Sequence, residues 1–154
     1  MQIHVIKAEP GTQLYTQLIA FVRQSSWDDV REHAAQMLEE RCFTDWEAMF
    51  AAVADGAIIG HAALLKTDYY PLPELCPWIN TVFVTEQFRG KGVCGALLDA
   101  AEQYAKAIGF SRIYLASEHA GIYEKYGYVY EKDIVNYGGE TDRLYTKDLE
   151  EASE

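Results

Sequence analysis

An α+β fold on one central sheet is what this sequence predicts, and three patterns predict it. Two apolar runs flank Asp55-Gly56, which is a hairpin signature. The apolar run Trp78 to Val84, a segment of helical period and the short run from Arg112 make a strand–helix–strand unit, whose crossover is parallel and right-handed. Two more strand-like stretches flank Gly138-Gly139. The 154 residues are 49% hydrophobic, enough for a sizeable core, and no stretch has the composition of a linker. Residues 1–149 are therefore expected as a single domain and 150–154 as an acidic tail.

Ile3 and Val5 mark a short first strand closed by Pro10-Gly11. Thr12 can cap the helix that follows, because Leu14, Leu18, Phe21 and Val22 fall on one helical face. A second helix is announced by Ser26 and runs through Val30, Ala34, Met37 and Leu38 to Arg41. From Trp46 the period changes to two, although the alanines from 48 to 52 also permit helix. Ala57 to Leu65 is apolar on both faces, as in a strand covered on each side. Asp68 to Pro77 holds three of the four prolines and reads as a loop. After Trp78 to Val84 come a glycine turn and a helix carrying Val93, Leu97, Ala101, Ala105 and Ile108, which Gly109 ends. Arg112 to Ala116 is a strand, 121–126 a short helix, and Tyr128 to Val135 and Arg143 to Asp148 the last two strands.

With 13 basic and 24 acidic residues the formal charge is −11, which disfavours nucleic acid and anionic membrane and is compatible with a cationic amine. Cysteines at 42, 76 and 94 have neither disulfide-framework nor zinc spacing. They suit a reducing cytoplasm. Gln2 to Lys7 alternates polar and apolar residues unlike a signal peptide, and no run approaches the roughly 20 apolar residues that span a bilayer.

The segment that carries chemistry is Gln87-Phe-Arg-Gly-Lys-Gly-Val-Cys-Gly-Ala-Leu-Leu98. Closely spaced glycines let backbone N–H groups approach a ligand, and a helix N-terminus adds orphan donors and partial positive charge. Together they make a cradle for phosphate or diphosphate. A Walker loop is excluded, because no Lys-Ser/Thr pair follows the glycines. The spacing Gly90-x-Gly92-x-x-Gly95 does satisfy the bare dinucleotide pattern. Its late position, and Tyr114 and Leu115 where a ribose-binding acid would stand, argue against that reading.

Two blocks together resemble the GNAT superfamily of acetyl-CoA-dependent N-acetyltransferases. Val82 to Leu98 looks like its motif A, with Gln87, Gly90 and Gly92 in register, and Ile122-Tyr-Glu-Lys-Tyr-Gly-Tyr128 looks like its motif B. The order of elements agrees along nearly the whole chain. The Pro77-Trp78 entry to the central strand and the Tyr-Gly-Tyr ending look like those of small bacterial members. The resemblance implies a mostly antiparallel, twisted sheet of about six to seven strands with one parallel crossover, flanked by about four helices.

It also implies acetyl-CoA as donor. The diphosphate would sit on the turn Arg89, Gly90, Lys91, Gly92, Val93, Cys94 and Gly95, with Gln87 beside it and the pantetheine arm along Val82, Phe83 and Val84. Tyr123 matches the tyrosine that protonates or orients the CoA sulfur, and a phenol needs no large pKa shift for that task. Some relatives have a glutamate base on the strand before motif B; here that strand ends at Ser117, leaving Glu118 or His119 by position, or water. The usual asparagine before the motif B helix is absent, which leaves Ser117 for the arm. Cys94 stands where a glycine or alanine is common and is small enough to preserve the cradle. Tyr69, Tyr70 and Trp78 could wall an amine site, with Asp68 or Glu74 attracting the ammonium, or simply anchor their loop. His61 reads as a packing residue. No metal site is expected, and a homodimer is compatible with the family. A noncatalytic acyl-CoA sensor is the competing function.

Overall fold

The structure is a computed structural model and describes residues 2–24, 35–36, 38–39, 46–68 and 70–149. Seven strands hydrogen-bond in the order β1-β2-β3-β4-β5-β7-β6: β1 (His4–Lys7), β2 (Ala48–Ala54), β3 (Ala57–Leu65), β4 (Trp78–Val84), β5 (Arg112–Ser117), β6 (Val129–Val135) and β7 (Thr141–Asp148). Beside them are α1 (Gln13–Arg23), α2 (Val93–Ala107) and two single 3₁₀ turns, Glu86–Phe88 and Tyr123–Tyr126. The mixed sheet of the expected α+β class is present. Of the second expected helix only Ala35, Gln36, Leu38 and Glu39 lie among the described residues, and they are helical.

By internal contact the chain forms two compact units, Met1–Ala63 with Thr81–Ala101, and Leu64–Asn80 with Glu102–Glu154. In the first, Thr12 caps α1 by accepting the Tyr15 N–H at 3.2 Å, and Leu18 and Val22 on the predicted face are fully buried. β1 runs antiparallel to β2, with Val5 opposite Ala52. The burial of β2 and β3 on both faces explains their apolar, non-alternating sequences. Gly60 on β3 is needed for space: a Cβ there would meet the Phe83 carbonyl oxygen at 2.7 Å and Leu97 at 3.3 Å. Because the nearer neighbour is backbone, Gly60→Ala should lower stability by about 1–3 kcal/mol, the usual cost of overpacking. Chemical denaturation would measure it, and an unchanged midpoint would mean that β3 and β4 part easily.

In the second unit, Trp78 of β4 lies parallel to β5 opposite Tyr114, and β5 runs antiparallel to β7 with Leu115 opposite Tyr145. Trp78, Ile134 and Leu144 form a core under Tyr70, Leu72 and Leu75. Glu102, on the apolar stripe of α2 four residues after Leu98, is 7% exposed. Its two oxygens accept the Tyr128 hydroxyl proton at 2.7 Å and a proton of the Lys147 ammonium at 2.9 Å, so the charge is compensated where it is buried. The sheet edge, β6, is exposed at every position but Ile134. Its Glu131-Lys132-Asp133 run and a register shift between Tyr130 and Lys132 discourage further strand pairing there.

Candidate active site

The glycine turn lies in the first unit. β4 ends at Val84, the 3₁₀ turn Glu86–Phe88 follows, and Arg89 then folds back so that its Nε–H donates to the Val84 carbonyl at 2.8 Å. The same guanidinium stands 5.5 Å from the centre of the Phe83 ring. Arg89 therefore braces the turn against the strand, a task its sequence position did not disclose. Gly90 and Gly92 have φ of 78° and 87°, in the left-handed region that glycine enters without steric cost. A Cβ on either would meet nothing within 4 Å, so both open onto free space.

The first intrahelical bond of α2 runs from the Ala96 N–H to the Gly92 carbonyl at 3.1 Å. The amides of Val93, Cys94 and Gly95 stand in the first turn of α2, ahead of that bond. No acidic residue stands in that first turn, while Arg89 and Lys91 are exposed beside it. Left-handed glycines, a helix N-terminus and local positive charge fit a diphosphate. Val93, Phe83 and Val84 bury their side chains, so only their main chain can face a ligand. Gln87 is exposed and Cys94 is half-buried.

Behind the turn, Thr81 has φ of +51°, an outlier for a β-branched residue, immediately before Val82. His61 is 2% exposed, stacks on Phe83 at 5.7 Å between centroids and meets Phe21 edge-on at 6.0 Å. Burial pushes its pKa down to about 4, opposed by a hydrogen bond to the Thr81 backbone, so the ring is neutral. Its Nδ1 and the Thr81 Oγ1 have no partner among the described residues. The unfolded chain binds a proton near pH 6.5 that the fold refuses until about 4, so stability falls as pH drops through that window. The linked loss is about 3 kcal/mol. His61→Phe should flatten the melting temperature between those pH values, whereas an unchanged slope would assign the acid sensitivity to other groups.

The motif B residues lie in the second unit. Ser117 ends β5, and its hydroxyl accepts the His119 N–H at 3.1 Å; Glu118 and His119 are exposed on the loop beyond. The expected short helix is the 3₁₀ turn Tyr123–Tyr126, stopped by Gly127 at φ of 93°. The Tyr123 ring lies 6.3 Å edge-on from Tyr128 and 6.1 Å from Tyr145. Lys147 donates to the Tyr126 carbonyl at 2.8 Å as well as to Glu102.

Of the aromatic wall, Tyr69 lies outside the described residues. Trp78 is 1% exposed and spends its indole N–H on the Leu75 carbonyl at 2.8 Å, so the structure assigns it to the core. Tyr70 stacks on it at 5.6 Å and donates its hydroxyl proton to Asp142 at 2.6 Å. Burial, and then that bond, raise the Tyr70 pKa. Asp68 accepts from the Asn80 amide at 2.5 Å.

Residues 15–128 match the acetyltransferase (GNAT) family over most of the chain. The chain belongs to that family. It is 30% identical over 129 residues to an uncharacterized N-acetyltransferase, YhfO, of Bacillus subtilis (strain 168), covering 80% of this chain and 85% of that protein. An aminoglycoside 6'-N-acetyltransferase complexed with coenzyme A shares the fold at a TM-score of 0.72 and 16% identity, over 98% of this chain and 99% of that one. A GNAT family acetyltransferase from Elizabethkingia anophelis with acetyl-CoA bound does so at 0.62 and 19%, over 95% and 97%. Acetyl-CoA is the donor used by GNAT enzymes. No helix among the described residues is long and apolar enough to cross a membrane.

Several contacts of this GNAT chain were not read from the sequence: Tyr145, Arg143 and Glu124 around the Tyr123 turn, and Asp142 on Tyr70. Only Glu102 left a signal, as a carboxylate on an otherwise apolar helix stripe.

Proposed function

We propose that this chain transfers the acetyl group of acetyl-CoA to a primary amine of a small molecule or peptide by direct attack in a ternary complex. The observation that carries the proposal is the pair of left-handed glycines opening onto free space at the start of α2. Bound acetyl-CoA supplies the thioester that the amine attacks. The amides from Gly90 to Gly95 hold its diphosphate, the Arg89 N–H being spent on the Glu86 carbonyl at 3.3 Å, with Lys91 adding charge and Gln87 flanking the turn. The main chain of Val82, Phe83 and Val84 aligns the pantetheine arm, and Ser117 takes the place of the missing asparagine. Holding both reactants together makes the attack effectively intramolecular.

Tyr123 gives its phenolic proton to the departing sulfur. Water, Glu118 or His119 takes the proton that the amine loses. The formal charge of −11 favours a cationic acceptor approaching from solution. Tyr69 and Tyr70 are the side chains to offer an aromatic surface to it, with Trp78 backing Tyr70.

Thiol release from acetyl-CoA against polyamines, amino acids, aminoglycosides and peptides tests the reading. Amine-dependent release supports it. Acetyl-CoA binding without turnover across the panel would make the chain a sensor.

A further inference from the structure

We propose that Tyr145 is the positioning residue for Tyr123, acting with Glu124 and Arg143; the inference rests on the reading of Tyr123 as the proton donor. A four-residue 3₁₀ turn has poor internal hydrogen-bond geometry, and none of Tyr123–Tyr126 is buried. Its orientation must therefore come from neighbouring elements. Tyr145, fully buried on β7, accepts the Arg143 Nε–H at 2.9 Å. Its single hydroxyl proton is shared between the His119 carbonyl at 3.0 Å and Glu124 Oε2 at 3.2 Å. The other Glu124 oxygen accepts the Gly121 N–H at 2.8 Å. One phenol thus ties together the chain before Tyr123, at 119 and 121, and the residue after it, while its ring forms one wall beside Tyr123.

Charge keeps this arrangement in one state. The backbone N–H of Glu124 itself, the Gly121 amide, the Tyr145 hydroxyl and the Arg143 charge hold the Glu124 carboxyl below the usual carboxylate range, so it remains an acceptor. Arg143 is also held by the Tyr130 ring, whose centre lies 4.0 Å from the guanidinium carbon. A phenol that accepts from a cation and donates toward an anion has no equivalent second orientation. Tyr145 needs no contact with the donor to matter, because an error of about 1 Å in the acid is worth up to about 100-fold in rate.

The test is a kinetic cycle of Tyr145→Phe, Tyr123→Phe and the double variant, with melting temperatures as a folding control. Tyr145→Phe keeps the ring wall and loses only the hydroxyl. It should lower kcat about 10-fold while the KM for acetyl-CoA stays within about 2-fold, and the double variant should be no slower than Tyr123→Phe alone. Wild-type kcat in Tyr145→Phe, or penalties that multiply in the double variant, would overturn the positioning role and leave Tyr123 as the acid. A fully active Tyr123→Phe would remove the acid reading and this inference with it. Exposed Glu124 gives the same test without touching the core: Glu124→Ala should match Tyr145→Phe, and Glu124→Gln, which still accepts the Gly121 N–H, should retain most of kcat. Equal activity of those two variants also overturns the proposal.

Discussion

Replacing Tyr123 by phenylalanine is expected to lower turnover about 100-fold while the affinity for acetyl-CoA stays unchanged. The magnitude follows from what a positioned acid contributes to a proton transfer, about 10²–10⁴-fold, of which the lower end applies because water can still protonate a thiolate. The separation of kcat from affinity follows from the structure of the turn. Phenylalanine keeps the ring between Tyr128 and Tyr145, so the packing that holds residues 123–126 survives and only the hydroxyl is lost. Single-turnover kinetics with a calorimetric titration of acetyl-CoA would separate the two quantities. Unchanged turnover would exclude Tyr123 from protonating the leaving group, and a parallel loss of affinity would recast it as a binding residue.

Gly92→Asp is expected to weaken acetyl-CoA binding at least about 100-fold. Two effects act there, and charge is the larger. An aspartate at φ of 87° pays the cost of a left-handed L-residue, which a short polar side chain bears better than most. Its carboxylate, placed against a diphosphate, adds a repulsion of about 4 kcal/mol at about 4 Å and an effective dielectric of about 20. Solvent screening reduces that figure, and about 3 kcal/mol is enough for the expected loss. Gly92→Asn separates the terms, since it matches aspartate in shape and in tolerance of the conformation but carries no charge. The asparagine variant should bind within about 10-fold of wild type. Equal losses in both variants would assign the effect to backbone geometry, and no loss in either would mean that the diphosphate does not sit on this turn.

The parts of the molecule that the sequence disclosed are those where a single residue type is required locally. Gly90, Gly92 and Gly109 have positive φ, and the turn and the helix stop they make were legible as glycines. The hairpin at Asp55-Gly56 and the buried stripe of α1 were equally local. The expected helix over 121–126 is a 3₁₀ turn because Gly127 ends it after four residues.

What the sequence hid depends on residues far apart in the chain. Tyr145, Glu124 and His119 meet because β7 pairs beside β5, a register that no local pattern encodes. Trp78 reads equally well as a wall or a core residue until Ile134 and Leu144 are packed against it. Thr81 gave the opposite signal, since a β-branched residue argues for regular strand at the one position of β4 where φ is +51°.

The most direct measurement of the central claim is the stoichiometry of products when the protein is given acetyl-CoA and a productive amine. The account predicts free thiol and N-acetylated amine in equal amounts, both dependent on the amine. Thiol formed without acetylated amine would make the reaction a hydrolysis, and neither product under saturating acetyl-CoA would contradict the assignment as an N-acetyltransferase.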